Sequence, residues 1–192
     1  MTAIAILLLA AGASSRMQGR DKLMEEVDGE PLLSRICRRA ALTGLQVYVT
    51  LPSSTHPRAA AIGTAVPIPV PDADEGMAAS IRRGVTALPE GCDGVMILPA
   101  DMPEVETQDM LRLAARFRGS SSPILRATAE DGTPGHPVLF PSRCFAALKA
   151  LSGDQGARGV LKGEAVKLVA LPKAHALTDL DTPEDWAAWR RR

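Results

Sequence analysis

The first 22 residues constrain this chain more than any other stretch. Residues 3–9 form an apolar run, AIAILLL, which is too short to cross a bilayer and has the length of a buried parallel strand. Small residues follow at positions 10–15, where the backbone can turn sharply and bring its N–H groups close to a ligand. Three cations come next, Arg16, Arg20 and Lys22. This order predicts a loop that binds a polyphosphate.

Other kinds of glycine-containing loop fit this segment less well. A dinucleotide-binding loop needs Gly-x-Gly-x-x-Gly, whereas Gly12 is followed by Gly19, seven positions on. A Walker A loop ends in Gly-Lys-Ser or Gly-Lys-Thr, whereas Lys22 is preceded by Asp21. The remaining alternative is a tight connection with no ligand.

Composition bounds the class of protein. The chain carries 22 basic and 22 acidic residues, so no net field draws it toward nucleic acid or a membrane surface. Aromatic residues make up 3% of the chain, too few for platforms that stack single-stranded nucleic acid. Three distant cysteines predict reduced thiols, and they are Cys37, Cys92 and Cys144. No basic segment precedes the apolar run, so we expect no signal peptide, a cytoplasmic location, and neither nucleic acid nor membrane as a partner.

Strands and helices alternate along the rest of the sequence, which predicts an α/β fold with a mostly parallel central sheet. The clearest further strands are predicted at 46–51, 94–98, 136–140 and 166–171. Amphipathic helices are predicted at 31–43, 77–88, 106–118 and 182–192. Thr182 is the expected N-cap of the last helix and Pro183 its first residue. No linker, repeat or low-complexity tract appears, so we expect residues 1–192 to form a single domain.

Two acidic sites occupy positions where ligands bind in such folds. Ligands of open α/β sheets lie beyond the carboxyl ends of the strands. Asp101 follows the predicted strand 94–98, and Asp181 follows the strand 166–171 and its loop. Two carboxylates that converge on a triphosphate are suitable ligands for Mg²⁺, with phosphate oxygens and waters completing its shell. The alternative is that each aspartate caps the helix that follows it.

Segment 9–22, LAAGASSRMQGRDK, resembles the signature of the nucleotidyltransferases that attach CMP or GMP to molybdopterin. More broadly it is similar to the sugar-nucleotide and methylerythritol cytidylyltransferase superfamily. Gln18 departs from the family pattern, which often has Gly-Gly after Arg-Met, and it places a side chain on the loop. Segment 98–103, LPADMP, is similar to the family's metal-binding Asp-Met-Pro or Asp-Gln-Pro segment, and segment 179–185, DLDTPED, is similar to its C-terminal Asp-x-Asp-Thr-Pro-Glu-Asp. The resemblance implies a Rossmann-like three-layer sandwich of the nucleotide-diphospho-sugar transferase type.

The loop and the resemblance together assign the candidate site residues. Nucleotide binding is assigned to Leu9, Ala10, Ala11, Gly12, Ala13, Ser14, Ser15, Arg16, Lys22 and Ser80. Segments 132–138 and 153–158 resemble stretches that border the pterin in the cytidylyl branch, which implies an acceptor site at His136, Asp154 and Arg158. A single His beside a glycine turn is more often a hydrogen-bonded structural residue than a catalyst, so no proton transfer is assigned to His136.

The reaction suited to these residues is attack by a terminal phosphate on the α-phosphorus of a nucleoside triphosphate, with release of pyrophosphate. Such a phosphate is largely ionised at neutral pH, with a second pKa near ~6, so no general base is required. Arg16 and the loop amides are assigned to the β- and γ-phosphates, and Lys22 to the α-phosphate and the incoming phosphate. Mg²⁺ on Asp101 and Asp181 would bridge the triphosphate. The expected catalytic residues are Arg16, Lys22 and Asp101.

The resemblance implies molybdopterin or Mo-molybdopterin as the pterin phosphate acceptor, with a molybdoenzyme as a candidate client. Cytidylyl members carry Leu-Ala-Ala-Gly where guanylyl members carry Leu-Ala-Gly-Gly, so Ala11 favours CTP, and GTP is the alternative. Another phosphorylated small molecule would need the same phosphate chemistry. A different class also stays open, a non-catalytic protein that holds a nucleotide or pterin and delivers it. The glycine spacing disfavours a nicotinamide oxidoreductase.

Overall fold

A computed structural model of the protein describes residues 2–153 and 156–191, so that Asp154 lies outside the described residues. The strands are β1 (Ile4–Leu9), β2 (Glu26–Val27), β3 (Glu30–Pro31), β4 (Gln46–Leu51), β5 (Val66–Pro69), β6 (Gly94–Pro99), β7 (Ile124–Thr128), β8 (Pro134–Pro141) and β9 (Val166–Ala170). The helices are α1 (Leu32–Ala41), α2 (Met77–Thr86), α3 (Thr107–Ala114), α4 (Phe145–Lys149), α5 (Arg158–Leu161) and α6 (Pro183–Arg190). The principal helices begin and end within the predicted ranges, and each is shorter than predicted.

Seven of the described strands form one sheet, in the order β5-β4-β1-β6-β8-β7-β9. Strands β5, β4, β1 and β6 run parallel, and β7 runs parallel to β9. Strand β8 is antiparallel to both of its neighbours, β6 and β7. The predicted mostly parallel α/β sheet is therefore confirmed, with β8 as its reversed strand. Strands β2 and β3 form a separate antiparallel hairpin.

Both faces of the sheet are covered, as expected for a parallel sheet built from continuous apolar strands. Along β1, Ile6 and Leu8 face one side and Ala5 and Leu7 the other, because successive side chains of a strand alternate. The first side packs on α1, α3 and α6, and the second on α2 and α4. The result is a three-layer sandwich. Within the described ranges, no helix combines the length and apolar character needed to cross a membrane.

The strand order reverses beside β1, and this reversal places the candidate site. The chain adds β4 and β5 on one side of β1, then returns to add β6 on the other. Crevices outside the carboxyl ends of strands at such a switch point are where α/β folds bind ligands. The small-residue loop leaves β1 at this edge, and Asp101 follows β6 at the same edge. The N–H of Ala100 donates to the carbonyl of Leu9 at 3.1 Å, which holds the two strand ends together.

Candidate active site

The small-residue loop has its carbonyls fixed and its amides available. Carbonyl oxygens of Ala10 and Gly12 accept hydrogen bonds from the guanidinium of Arg58, at 2.6 and 2.8 Å. The N–H groups of Ala11, Gly12 and Ala13 take part in none of the hydrogen bonds found within the described chain. A run of unpaired backbone N–H groups in a tight loop is a binding site for anions. This geometry is consistent with the predicted phosphate loop.

Arg58 is a buried residue that sequence reasoning missed. It lies in the 3-10 turn Pro57–Ala61 and is 2% exposed. Its guanidinium makes two parallel bonds to the carboxylate of Asp21, each 2.7 Å long. The Ser14 hydroxyl accepts a further hydrogen bond from Arg58 at 3.1 Å, so the Ser14 side chain points into the loop and contacts the buried guanidinium. The sequence carries little signal for this role, since Arg58 is a single cation in a Pro- and Ala-rich stretch.

The pairing with Arg58 sets the charge state of Asp21. Partial burial raises the pKa of Asp21, but the hydrogen bonds and charge of Arg58 outweigh it and hold that pKa below its usual value. Asp21 also accepts from the backbone N–H of Leu23 at 3.0 Å. Because Asp21 immediately precedes Lys22, the same contacts fix the backbone from which the Lys22 side chain extends.

Gln18 lies at a sharp turn of the loop. It adopts the left-handed conformation, with φ 52° and ψ 45°, and Gly19 follows at φ 85°. L-residues other than glycine enter this region at a cost of about 1–2 kcal/mol. The loop therefore turns where the family pattern has glycines, with some strain in the backbone of Gln18.

Lys22 joins the two predicted metal ligands. Its ammonium lies 2.5 Å from Asp101 Oδ2 and 2.5 Å from Asp181 Oδ1. The Arg16 guanidinium donates to the second carboxylate oxygen of Asp181, Oδ2, at 2.7 Å. Burial lowers the pKa of Lys22, but the charges and hydrogen bonds of Asp101 and Asp181 raise it by more. The pKa of Lys22 therefore lies above its ordinary value. The structure thus brings together Arg16, Lys22, Asp101 and Asp181, which are scattered along the sequence.

The helix-capping alternative for the two aspartates does not hold. The N-cap of α3 is Glu106, in a reciprocal capping box with Asp109. The N-cap of α6 is Thr182, as predicted, and its hydroxyl accepts from the N–H of Asp185 at 3.1 Å. Asp101 and Asp181 are therefore free of helix ends and turn toward Lys22 instead.

The carboxylates of Asp101 and Asp181 suit a hard divalent cation whose remaining ligands are phosphate oxygens. Asp101 Oδ1 is buried and has no hydrogen-bond partner among the described residues. A buried carboxylate oxygen left in this way is costly unless a ligand satisfies it. No cluster of three or more His, Cys, Asp or Glu side chains that could hold a metal by itself is found in the described ranges. Two protein carboxylates with phosphate oxygens are a typical arrangement for Mg²⁺.

A third carboxylate, Asp179, adjoins the pair. Partial burial raises its pKa above the ordinary value, and the negative charges of Asp101 and Asp181 raise it further. Negative charge therefore exceeds what Lys22 and Arg16 neutralise at this end of the cavity. Such an excess favours a bound cation.

The segment that carries Asp179 and Asp181 is anchored on α3 and the turn before it. The ring nitrogen Nδ1 of His175 lies 2.7 Å from Asp109 Oδ2, and Asp109 is 3% exposed. The Thr178 hydroxyl donates to Glu104 Oε2 at 2.8 Å. These contacts fix the approach of residues 175–181 to the site.

His136 lies on β8 between the acidic cluster and a group of arginines. Its Nδ1 is buried and has no partner among the described residues. Burial lowers its pKa to about 4, and the charge of Arg126 lowers it as well. The ring is therefore neutral at physiological pH and a weak base, in keeping with a role other than proton transfer.

One cavity of about 840 Å³ joins these features. Its lining includes the Arg16–Lys22–Asp101–Asp181 cluster at one end, His136 in the wall, and Arg158 on α5. Ser80 does not line it; that residue is buried within α2, whose Met77 and Ile81 reach the cavity instead. Further cations in the lining, which sequence reasoning did not select, are Arg126 and Lys162.

Three nucleotide-binding candidates at the start of the loop are buried or nearly so. Leu9 ends β1, Ala10 is 1% exposed, and Ala11 packs against Val70 and Ala79 in a small apolar cluster. The Ala11 methyl therefore fills the space between the loop and the first turn of α2. Ala13 and Ser15 are exposed on the outer side of the loop.

Comparison with known proteins places this fold in a family of nucleotidyltransferases. The family model described as "MobA-like NTP transferase domain" matches residues 6–171, and the chain belongs to this family. The purine catabolism protein PucB of Bacillus subtilis is 32% identical, over 96% of this chain and 95% of that protein. The molybdenum cofactor cytidylyltransferase of Escherichia coli is 26% identical, over 100% and 98%. A probable molybdenum cofactor guanylyltransferase of Nostoc is 25% identical, over 97% and 90%.

Solved structures share the fold. The crystal structure of Rv0371c from Mycobacterium tuberculosis superposes with a TM-score of 0.86 at 24% identity, over 100% of this chain and 99% of that one. A second structure of Rv0371c, described as a complex with manganese, gives a TM-score of 0.83 at 23% identity, with the same coverage. The Rossmann-like three-layer sandwich predicted from the sequence is therefore confirmed.

Proposed function

We propose that this protein transfers CMP from CTP to the terminal phosphate of molybdopterin or Mo-molybdopterin and releases pyrophosphate, with Mg²⁺ as the metal ion. The observation that carries the proposal is the position of Lys22, whose ammonium joins Asp101 and Asp181 beside a loop of free amides. Relatives named as a molybdenum cofactor cytidylyltransferase and a probable molybdenum cofactor guanylyltransferase support the reaction class and the acceptor.

The loop and its neighbouring cations bind the triphosphate. The free N–H groups of Ala11, Gly12 and Ala13 donate to phosphate oxygens, and Arg16, 69% exposed at its side chain, closes over the β- and γ-phosphates. Pyrophosphate leaves with growing negative charge, which fixed positive charge and backbone dipoles stabilise without reorganisation. Arg58 contributes by holding the carbonyls of Ala10 and Gly12 away from the phosphates.

Asp101 and Asp181 would hold the metal ion, with the orphaned Oδ1 of Asp101 as a ligand. A Mg²⁺ ion held there would supply positive charge that neutralises the phosphates and helps these residues to orient them. Lys22 then exchanges its carboxylate partners for the α-phosphate and the incoming phosphate. The Lys22 ammonium is well suited to this exchange, because it is a compact charge on a flexible stem.

The attacking group needs alignment and no base. A phosphate monoester is already largely ionised at neutral pH, with a second pKa near ~6. The neutral ring of His136, with a pKa lowered to about 4, borders the acceptor and moves no proton. Arg158 and the predicted acceptor residue Asp154 complete the acceptor side in this proposal.

Ala11 is the basis for choosing CTP. Its methyl is 3% exposed and packs on Val70 and Ala79, so it sets the distance between the loop and α2 on which the room for the base depends in this proposal. A methyl-sized difference discriminates by about 1–3 kcal/mol, which leaves GTP as a measurable second substrate. Because the relatives include proteins named as cytidylyl and guanylyl enzymes, the rates with CTP and with GTP both have to be measured.

The test is product analysis with purified protein. Protein, Mg²⁺ and molybdopterin are incubated with CTP or with GTP, pyrophosphate release is followed, and the product is identified by mass. A cytidylylated pterin is the expected product. Pyrophosphate release with a sugar phosphate or methylerythritol phosphate, and none with molybdopterin, would reassign the acceptor. Tight nucleotide and pterin binding with no product would favour the non-catalytic delivery protein.

A further inference from the structure

The cavity has a second charged end that the nucleotide chemistry leaves unused. Three cations line it: Arg126 on β7, Arg158 on α5, and Lys162 immediately after α5. The ion pairs found among the described residues include none of these three side chains. The described carboxylates of the cavity lining, Asp101, Asp179 and Asp181, belong to the opposite end, around Lys22.

Arg126 is held in place by neutral groups. Its Nε donates to the carbonyl of Gly135 at 3.2 Å, and one terminal nitrogen donates to the carbonyl of Pro134 at 3.4 Å. These carbonyls orient the guanidinium on the floor of the cavity without neutralising its charge. A partly buried arginine held in this way is suited to an anionic ligand.

The three cations lie on one surface. Arg158 begins α5 and Lys162 is the extended residue that ends it, and both side chains line the cavity together with Arg126. Burial lowers the pKa of Arg126, and the charge of Arg158 lowers it further, so the two guanidinium groups repel each other. Like charges kept close together without a counter-charge disfavour the folded protein, and an anion between them reverses this effect.

The wall between the two ends is apolar. Ile97, Val138 and Phe140 line the cavity beside His136 and are all buried. A ligand that spans the cavity would therefore place a flat or apolar body on this wall and a charged group at each end.

We propose that Arg126, Arg158 and Lys162 form a second anion subsite, which binds a multiply charged group of the acceptor other than the phosphate that attacks. The assignment to the acceptor rests on the proposed function, since the triphosphate is held at the other end by the loop, Arg16 and Lys22. The acceptor is thus an anion at both ends, with the attacking phosphate at Lys22 and a second charge at Arg126. Three converging cations favour a group with more than one negative charge over a monoanion.

The test uses inorganic phosphate as the probe and requires no turnover. The full-length Lys22→Gln protein removes the ammonium at the attacking position. The loop amides and Arg16 still bind phosphate in this variant, so the part of the binding that is lost with Arg126 reports on the second subsite. Calorimetric titration should detect phosphate binding to this variant. Adding Arg126→Gln should weaken that binding about tenfold or more, the effect expected from losing a hydrogen bond to a charged group.

A second variant of the subsite and a control variant complete the experiment. Arg158→Gln, on the exposed face of the short α5, should weaken phosphate binding in the same direction without affecting the core. Arg112→Gln is the matched control; Arg112 is exposed on α3 and donates to the carbonyl of Ala170, and its loss should leave binding unchanged. Absence of phosphate binding to the Lys22→Gln protein, or equal binding with and without Arg126, would overturn the subsite.

The outcome is separable from that of the proposed function. If the subsite is present and no pyrophosphate is released from CTP or GTP, the proposed reaction fails while the anion site stands. If transfer proceeds and Arg126→Gln binds phosphate as the parent does, the reaction stands and the subsite fails.

Discussion

Arg58 donates hydrogen bonds to both carboxylate oxygens of Asp21, and the same guanidinium donates to the carbonyls of Ala10 and Gly12. One buried side chain therefore fixes the end of β1, the small-residue loop and the residue before Lys22. Planar arginine suits this role because its donors diverge in a rigid fork, which lysine cannot reproduce.

We expect Arg58→Met to destabilise the protein by about 3 kcal/mol, because it leaves Asp21 and two loop carbonyls without their donors. The measurement is the free energy of unfolding from urea titration. Arg116→Met, which removes an exposed arginine of similar size, should change that free energy by less than about 0.5 kcal/mol. A small effect of Arg58→Met would mean that water replaces the lost contacts.

Lys22→Ala and Asp101→Ala should each lower turnover by two orders of magnitude or more, the scale for removing one transition-state contact. The two variants should differ in metal binding without nucleotide. Lys22 occupies the space between Asp101 and Asp181, so Lys22→Ala should tighten Mn²⁺ binding to the free protein, whereas Asp101→Ala should weaken it. Calorimetry measures both, with the exposed Lys149→Ala as the control. Equal metal affinities in the two variants would contradict the assigned site.

Ala11→Gly should lower the preference for CTP over GTP by about tenfold, because it removes the methyl that packs on Val70 and Ala79. The measurement is the ratio of kcat/KM for pyrophosphate release with the two nucleotides. Ala13→Gly also loosens the loop, and it should alter both rates in parallel. An unchanged ratio in Ala11→Gly would place base selection elsewhere.

Several features were predictable because their signals are local. The small-residue loop, the strands at 46–51 and 94–98, and the Thr182 cap each depend on residues close together in the sequence. The meeting of Lys22 with Asp101 followed from a general rule, that parallel strands end at one edge of a sheet. The reversal of β8 was not predicted, although residues 129–133 join it to β7 as a short hairpin connection.

Other features depend on contacts between distant segments. Arg58 and Asp21 are 37 positions apart, and His175 and Asp109 are 66 apart, with no periodicity or motif that links them. Arg126 lies in the middle of a strand, where its sequence position does not indicate which side of the sheet it faces. These pairings exist only after the sheet has formed, so the sequence pattern alone does not specify them.

The protonation of His136 should be visible in the pH dependence of stability. Its pKa in the folded protein is lowered to about 4, whereas the unfolded chain binds the proton with a pKa near 6.5. The unfolded state therefore takes up more protons between these values, and the free energy of unfolding should fall as pH drops from 6.5 toward 4. Above pH 6.5 this contribution is complete. Urea titrations across the range should give a flatter slope for His136→Gln, and a His136 imidazole signal that titrates near 6.5 would contradict the buried, neutral ring.

Gln18→Gly should raise the free energy of unfolding by about 1 kcal/mol, because glycine enters the left-handed region without the steric cost that Gln18 bears. Gln18→Ala keeps the Cβ atom and should bring no such gain. Thermal or urea unfolding of the three proteins decides the matter. Equal stabilities would show that the backbone of Gln18 carries no strain.

Gly135 lines the cavity and has no room for a side chain. A Cβ atom at position 135 would overlap the carbonyl of Ala176, to which the N–H of His136 also donates at 2.9 Å. Any side chain there would push residues 175–181 outward and carry Asp181 with them, so a change meant for the acceptor would disturb the charge-bearing end. Arg158 and Lys162 are exposed and have no such attachment. Under the proposed function, variants meant to use other acceptors should therefore begin on α5 and leave the glycine untouched.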